Sequence, residues 1–201
     1  GFVLTGTSSY GQTFFIGIFG PDVQARFSLD HTEWGTIYLI GTLASAMILP
    51  WTGKLIDQVD LRRYTLAVCG LAVLACLAMA TAQNVIMLVV AIFLLRQSGQ
   101  GLLSHIASTS MARYHEHGRG KALAIASFGE GIGEAILPVL AVLLIVAIGW
   151  RASYGVVAII LAVGLTPFLL WLLKGHTQRH AGYLQRRESA RQETSETARS
   201  A

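Results

Sequence analysis

Charged residues are scarce in this chain of 201 residues, and cysteines are few. Asp, Glu, Lys and Arg make up 13% of the sequence, about half of the roughly 25% that is usual in soluble domains. Intrinsic disorder is excluded for most of the chain, because disorder requires low hydrophobicity and high net charge. Two cysteines, Cys69 and Cys76, exclude a disulfide-stapled scaffold. Hydrophobic residues are abundant instead, at 53%, and this excess over polar surface predicts an integral membrane protein.

The hydrophobic residues are gathered into runs long enough to cross a bilayer. A helix needs about 20 mainly apolar residues to span roughly 30 Å of hydrocarbon. The runs are rich in Leu, Ala and Gly without alternation, which favours helices over a β-barrel. We predict an all-α bundle of six transmembrane helices within residues 1–173, followed by a polar cytoplasmic tail or interdomain linker over 174–201. The predicted spans are 2–20, 34–52, 65–82, 85–107, 122–147 and 152–173.

Local signals mark the boundaries of these runs. Residues 20–22 (Gly-Pro-Asp) are expected to end the first run, and Asp30 with Glu33 has the spacing of a capping box that opens the second. Residues 83–84 (Gln-Asn) predict a tight turn, and residues 149–151 (Gly-Trp-Arg) are expected to separate the last two runs.

Basic residues lie mostly on one side of the predicted membrane. Arg26 and Arg151 fall on the opposite side, and Arg96 lies within a run. The positive-inside rule makes the basic side cytoplasmic and places both termini there, in a plasma or inner membrane. The net charge of +4 is therefore a topology signal, and we expect no nucleic-acid partner. The twelve basic-side residues are Lys54, Arg62, Arg63, Arg113, Arg119, Lys121, Lys174, Arg179, Arg186, Arg187, Arg191 and Arg199.

The loop after the second run carries the first recognisable motif. It begins at Gly53 and reads GKLIDQVDLRR, ending in Arg62 and Arg63. It resembles the signature loop of the major facilitator superfamily, G-x-L-A-D-R-x-G-R-K, at Gly53, Leu55, Asp57 and Arg62, and departs from it at three positions. In that family the loop latches the cytoplasmic ends of the two half-bundles. The alternative is an ordinary polar loop with cytoplasmic arginines.

Two glycine-rich segments extend the resemblance to residues 1–173. The sequence RQSGQG, from Arg96 to Gly101, is similar to the family's intramembrane R-x-x-Q-G-x-G, with the Gln/Gly order shifted by one. The fifth run reads GEGIGEAILP and resembles the family's glycine-rich fifth helix. We expect these segments to pack helices closely through small residues. The packing candidates are Gly99, Gly101, Gly129, Gly133 and Pro138.

The resemblance implies the N-terminal six-helix half of a secondary transporter that works by alternating access. It implies a small-molecule substrate, coupling to a proton or counter-substrate gradient, and either a missing C-terminal half or a second copy as partner in the lipid bilayer. The first and fifth runs look most like the monocarboxylate and oxalate/formate branch, which favours a small organic anion.

Arg96 is the charge within the fourth run that most needs an explanation. A mid-span arginine costs several kcal/mol on insertion scales, so it normally faces a cavity or a partner. At 1.5 Å per residue, Arg96 and Glu134 fall at similar depth on neighbouring antiparallel helices, and Glu130 shares a helix face with Glu134. We predict a substrate-anion or proton-coupling site built from these residues. The alternative is a static buried ion pair that fixes helix register.

The first run is unusually polar for a membrane span. Seven of its residues between Thr5 and Thr13 carry hydroxyl or amide groups, as in a helix that lines a watery cavity. Tyr10 and Gln12 are the predicted cavity residues. The alternative is small-residue packing with interhelical hydrogen bonds.

Other functional classes have weaker support in the sequence. An intramembrane serine hydrolase needs a nucleophile such as Ser98, but Arg96 replaces the first Gly of G-x-S-G and no partner His lies on a later run. We see no phosphate loop, paired metal ligands or cofactor motif, so we predict neither an enzyme nor a cofactor. A six-span channel or structural membrane subunit remains an alternative.

Overall fold

The fold is built from helices, and the computed structural model describes residues 2–114 and 119–172. Short 3-10 turns cover Ser9–Gly11 and Leu55–Asp57, and π-helices cover Arg96–Leu103 and Ile160–Leu165. The α-helices are α1 (Phe2–Ser8), α2 (Thr13–Ile18), α3 (Gly20–Phe27), α4 (His31–Lys54), α5 (Leu61–Thr81), α6 (Val85–Leu95), α7 (Ser104–Tyr114), α8 (Arg119–Ile159) and α9 (Thr166–Leu172). The predicted tail, 174–201, lies outside the described residues.

Four helical segments in the described part of the chain are long and apolar enough to cross a membrane. They are His31–Asp57, Leu61–Thr81, Val85–Met111 and Ala124–Leu172. The last has 49 residues, about 74 Å at 1.5 Å per residue, which exceeds twice the roughly 30 Å of hydrocarbon. The membrane-helical class predicted from the sequence agrees with these segments, and the count of six crossings stays a prediction.

The first predicted run is a discontinuous helix. After the 3-10 turn the backbone of Gln12 is extended, with φ −78° and ψ 156°, and α2 begins at Thr13. Helix α2 ends at Ile18, and α3 begins at Gly20 with Pro21 in its first turn, a position that tolerates the missing N–H. Ser28, at φ 54°, ends α3, and the end of the first span at residues 20–22 stays a prediction.

The other boundary signals are confirmed. The Asp30 side chain accepts a hydrogen bond from the Glu33 amide at 2.7 Å, and the Glu33 carboxylate accepts one from the Asp30 amide at 2.9 Å, which completes the capping box of α4. The Asn84 side chain caps α6 through the Met87 amide. Gly149 interrupts α8 with φ 78° and ψ 160°.

Helix α1 and the 3-10 turn after it lie between α8 on one side and the π-helix Arg96–Leu103 on the other, and α2 packs against α8. Apolar side chains of the first run, with Phe15 and Phe19 at the centre, join one large buried cluster. A second cluster surrounds Leu103 and Ile106 near the end of α4. Many apolar side chains of α4 and α8 remain exposed, as expected for surfaces that face lipid or a partner.

Candidate functional site

The site is organised around the break in the first run. Gly11 lies directly against Gly99 of the π-helix, where a Cβ at Gly99 would be 2.5 Å from the Gly11 Cα. Only glycine permits so close an approach of two backbones. The 3-10 turn that contains Gly11 has its C-cap at Gln12. The backbone contact brings the Gly11 carbonyl within reach of the side chains of the π-helix. The packing role of Gly99 stays a prediction, and this close approach is the observation that supports it.

Arg96 holds the broken end of the first run. Its side chain is 9% exposed, and Nη1 donates to the Gly11 carbonyl and to Thr13 Oγ1, each at 3.2 Å. The guanidinium also lies over the Tyr38 ring, 5.5 Å from its centroid, and Tyr38 donates its hydroxyl to Thr13 Oγ1 at 2.9 Å. Among the described residues, the buried Nε has no hydrogen-bond partner. Arg96 therefore keeps donor capacity beyond the contacts that position it.

The structure does not bring Glu134 to Arg96. Among the residues described, Arg96 forms no ion pair with a carboxylate; its polar partners are Gly11 and Thr13. Glu134 is exposed on α8. Depth along a helix was predicted from the 1.5 Å rise, but the direction of a side chain depends on how the helix is rotated about its axis, which the rise does not fix. A static Arg96–Glu134 ion pair is therefore not formed.

Glu130 and Gln12, both predicted site residues, are in contact. Gln12 Nε2 donates to Glu130 Oε1 at 2.8 Å, and both side chains are half-buried. Because Gln12 follows Gly11 directly, Arg96 and Glu130 bind consecutive residues at the break. One end of the site thus presents a guanidinium and the other a carboxyl group.

Tyr10 lies beside the break on its apolar side. It is half-buried, and its ring meets that of Phe15 edge to face, with 5.3 Å between centroids. The contact places Tyr10 at the junction between the large hydrophobic cluster and the polar residues at the break. Whether it lines a cavity stays a prediction.

Two glycines of α8 that are predicted to pack helices, Gly129 and Gly133, face the first run. A Cβ at Gly133 would lie 3.0 Å from that of Ser9, and a Cβ at Gly129 would lie 3.0 Å from the carbonyl carbon of Phe2. Thr5 Oγ1 also donates to the Ala126 carbonyl. Close packing of α1 on α8 brings Gln12 to Glu130. Pro138 lies within α8.

Gln97 is a buried polar residue of this region that is not among the predicted site residues. Its Oε1 accepts a hydrogen bond from Ser45, and its Nε2 donates one to Thr52. The signal was available, since a buried amide beside an intramembrane arginine needs partners. Gly101 packs on α4 as well, with Leu49 as its neighbour.

The neighbouring Ser98 is engaged within its own helix. Its hydroxyl donates to the Leu94 carbonyl at 2.7 Å. This bond gives no support to the alternative of an intramembrane serine hydrolase. In residues 2–114 and 119–172, no group of three or more His, Cys, Asp or Glu side chains could hold a metal ion.

The predicted latch loop follows α4. Gly53 is buried against His105 of α7, where a Cβ would lie 3.6 Å from His105 Nε2. Asp57 ends the 3-10 turn, and Arg62 and Arg63 are exposed at the start of α5. The latch role of these residues stays a prediction.

Comparison with known proteins identifies the family. The family model described as Major Facilitator Superfamily matches residues 1–199. The chain belongs to the major facilitator superfamily. It is 29% identical, over 168 residues, to the riboflavin transporter RibJ of Trypanosoma cruzi (strain CL Brener). No solved structure matches the chain significantly.

The match to the curated relative covers 81% of this chain and 35% of that protein, so the chain spans about a third of its relative's length. The superfamily and this relative both support a transport protein and not an enzyme, as the sequence predicts. A chain of 201 residues fits the N-terminal half of the family fold.

Proposed function

We propose that the chain is the N-terminal half of a secondary active transporter that works by alternating access on a small organic solute carrying an anionic group. The observation that carries this proposal is the buried, mid-helix Arg96, which has unused donor capacity and no carboxylate partner among the described residues. An arginine in that setting is suited to a substrate anion, because its planar fork binds carboxylates and its burial strengthens the interaction.

The break at Gln12 supports the same site. Transporter substrate sites are commonly formed where a membrane helix is discontinuous, because unwound backbone supplies polar groups near the midplane. The Gln12–Glu130 contact places a carboxyl group at the same break. We propose that Glu130 binds and releases the coupling proton, with exposed Glu134, one turn along α8, as a second acid.

Uptake into proteoliposomes containing the full-length protein tests the proposal. Arg96→Lys keeps the positive charge but loses the planar fork, and we expect saturable, gradient-driven uptake to fall by about tenfold or more. Arg26→Lys, which alters an exposed arginine of α3, is the matched control. The probes are short monocarboxylates and, from the name of the relative, riboflavin. Full activity in Arg96→Lys excludes the substrate role, and uptake that rises linearly without saturation favours a channel.

We also propose six membrane crossings with both termini cytoplasmic, in a plasma or inner membrane. The discontinuous first run and the interruption of α8 at Gly149 supply the two crossings beyond the four long segments. A C-terminal half or a second copy completes the transport path, because alternating access needs two bundles that rock about one site. Impermeant maleimide should label Arg26→Cys and Lys54→Cys from opposite sides of the membrane, and labelling from the same side contradicts this topology.

A further inference from the structure

Gln97 joins the π-helix to α4. Its side chain is 3% exposed. Oε1 accepts a hydrogen bond from Ser45 Oγ at 2.8 Å, and Nε2 donates one to Thr52 Oγ1 at 2.7 Å. Both ends of the amide are therefore used on a single neighbouring helix. The preceding residue, Arg96, binds the first run instead, so two consecutive residues of the π-helix hold two different parts of the bundle.

The two hydroxyls lie on either side of a weak point in α4. Pro50 is inside this helix, and because proline has no N–H, the carbonyl of Ala46 loses its helical partner. Ser45 precedes the interrupted turn and Thr52 follows it. The two residues are about 10 Å apart along the helix axis at 1.5 Å per residue. The Gln97 amide thus forms hydrogen bonds with α4 on both sides of its proline.

The end of α4 beyond Pro50 adjoins open space. A cleft of about 320 Å³ is lined by Pro50, Gly53 and Lys54 on one side and by His105 on the other. The Thr52 carbonyl accepts a hydrogen bond from the Tyr64 hydroxyl at 2.8 Å, which ties this end to the first turn of α5. Movement of the helix end therefore moves the loop that joins α4 to α5.

We infer that Gln97 is a positioning residue that couples the Arg96 site to the latch loop through the proline of α4. With both hydrogen bonds made, the last turn of α4 is held in line. When the π-helix shifts as Arg96 engages an anion, the bonds to Ser45 and Thr52 weaken, and the helix end swings about Pro50 into the cleft. This inference rests on the proposed transport function and adds the route by which the site reaches the cytoplasmic loop.

A structural hydrogen bond alone would not involve the proline. If Gln97 only adds stability, the effect of losing Gln97 should be the same whether residue 50 is proline or alanine. If it restrains a hinge, then Pro50→Ala, which restores the helical hydrogen bond to Ala46, should compensate for the loss of Gln97.

The experiment measures how fast an impermeant maleimide labels Lys54→Cys in the full-length protein, in membrane vesicles with the cytoplasmic face outside. Lys54 is exposed, and the native Cys69 and Cys76 are buried. Gln97→Leu removes both bonds, so we expect it to change the labelling rate by more than about five-fold, which is the population shift that a single net hydrogen bond carries. Ser45→Ala and Thr52→Val, which each remove one bond, should act in the same direction.

Two further variants make the result specific. Ser98→Ala alters a buried hydroxyl that bonds its own helix, so the rate should stay at the wild-type value. Gln97→Leu combined with Pro50→Ala should return the rate to within about two-fold of wild type, since the hinge is removed.

An unchanged rate in Gln97→Leu, or failure of Pro50→Ala to reverse the change, overturns the inference. If Gln97→Leu does not fold, the single-bond variants Ser45→Ala and Thr52→Val decide, with the same reversal by Pro50→Ala. The labelling rate is independent of uptake. If the expected labelling rates are not found while uptake still depends on Arg96, the coupling alone is refuted. If uptake is full in Arg96→Lys while the labelling rates are as expected, the substrate site is refuted, and what remains is the restraint of Gln97 on α4.

Discussion

Gln12 donates its side-chain amide to the carboxyl group of Glu130 at 2.8 Å, across 118 positions of sequence. The bond joins the extended residue at the break of the first run to the fifth predicted span. It also sets Glu130 one residue away from the carbonyl that Arg96 binds. The two charged side chains therefore reach the same break from different helices, and each can be altered separately.

Removing both partners of this bond should lower the free energy of unfolding by less than the sum of the two single substitutions. Gln12→Leu and Glu130→Leu should each lower the melting stability of the purified protein, and the double variant should reveal a coupling of about 1 kcal/mol. The matched cycle uses Glu134→Leu with Gln12→Leu, because exposed Glu134 does not contact Gln12, and it should be additive. Equal coupling in the two cycles contradicts the contact.

Glu130→Gln distinguishes the role of Glu130 in the hydrogen bond with Gln12 from its proposed role in proton coupling. The new amide oxygen can still accept from Gln12, so we expect stability close to wild type. A glutamine cannot titrate, so uptake driven by a proton gradient should be lost while exchange between substrate pools continues. Uptake in proteoliposomes, with and without an imposed pH gradient, measures this. Gradient-driven uptake at the wild-type rate assigns coupling to another group.

The ring of Tyr38 should matter more than its hydroxyl. Tyr38→Phe keeps the aromatic face under Arg96 and loses the hydrogen bond to Thr13, so uptake should fall by about five-fold at most. Tyr38→Leu removes the ring as well, and a partly desolvated cation–π contact of about 2 kcal/mol adds a further loss of more than tenfold. Initial uptake rates give the comparison. Equal losses in the two variants show that the ring is not used.

The capping box at the start of α4 offers a test away from the candidate site. Asp30→Ala removes the side chain that caps the Glu33 amide and should lower stability by about 1 kcal/mol. Thr32→Ala, at an exposed position two residues on, should have little effect. Thermal unfolding in detergent measures both. A loss in Thr32→Ala as large as that in Asp30→Ala rules out capping as the cause.

Much of the fold follows from local chemistry, and the site follows only in part. The capping box and the break at Gly149 were predicted because their signals lie within a few residues. Arg96, Gln12 and Glu130 stood out because polar groups in a membrane span need partners. The break at Gln12 was not predicted, since its geometry depends on Arg96, 84 positions along the chain. The direction of Arg96 was missed for a related reason, because glycine packing between helices decides how each helix is rotated.

Alanine substitutions at three glycines of α8, Gly129, Gly131 and Gly133, distinguish the effect of helix packing from that of helix propensity. Gly129 and Gly133 face the first run, where an added Cβ would overlap the Phe2 carbonyl and the Ser9 side chain. At Gly131, no atom of the described residues lies within 4 Å of an added Cβ. Gly129→Ala and Gly133→Ala should each destabilise by about 1–3 kcal/mol through overpacking. Gly131→Ala should stabilise by up to about 1 kcal/mol, because alanine is the better helix former. Thermal unfolding of the three variants gives their order of stability, and equal shifts at all three positions would mean that α1 does not pack on this face.

Because the same packing brings Gln12 to Glu130, the two disruptive variants should also abolish the coupling in the Gln12–Glu130 cycle, while Gly131→Ala leaves it intact.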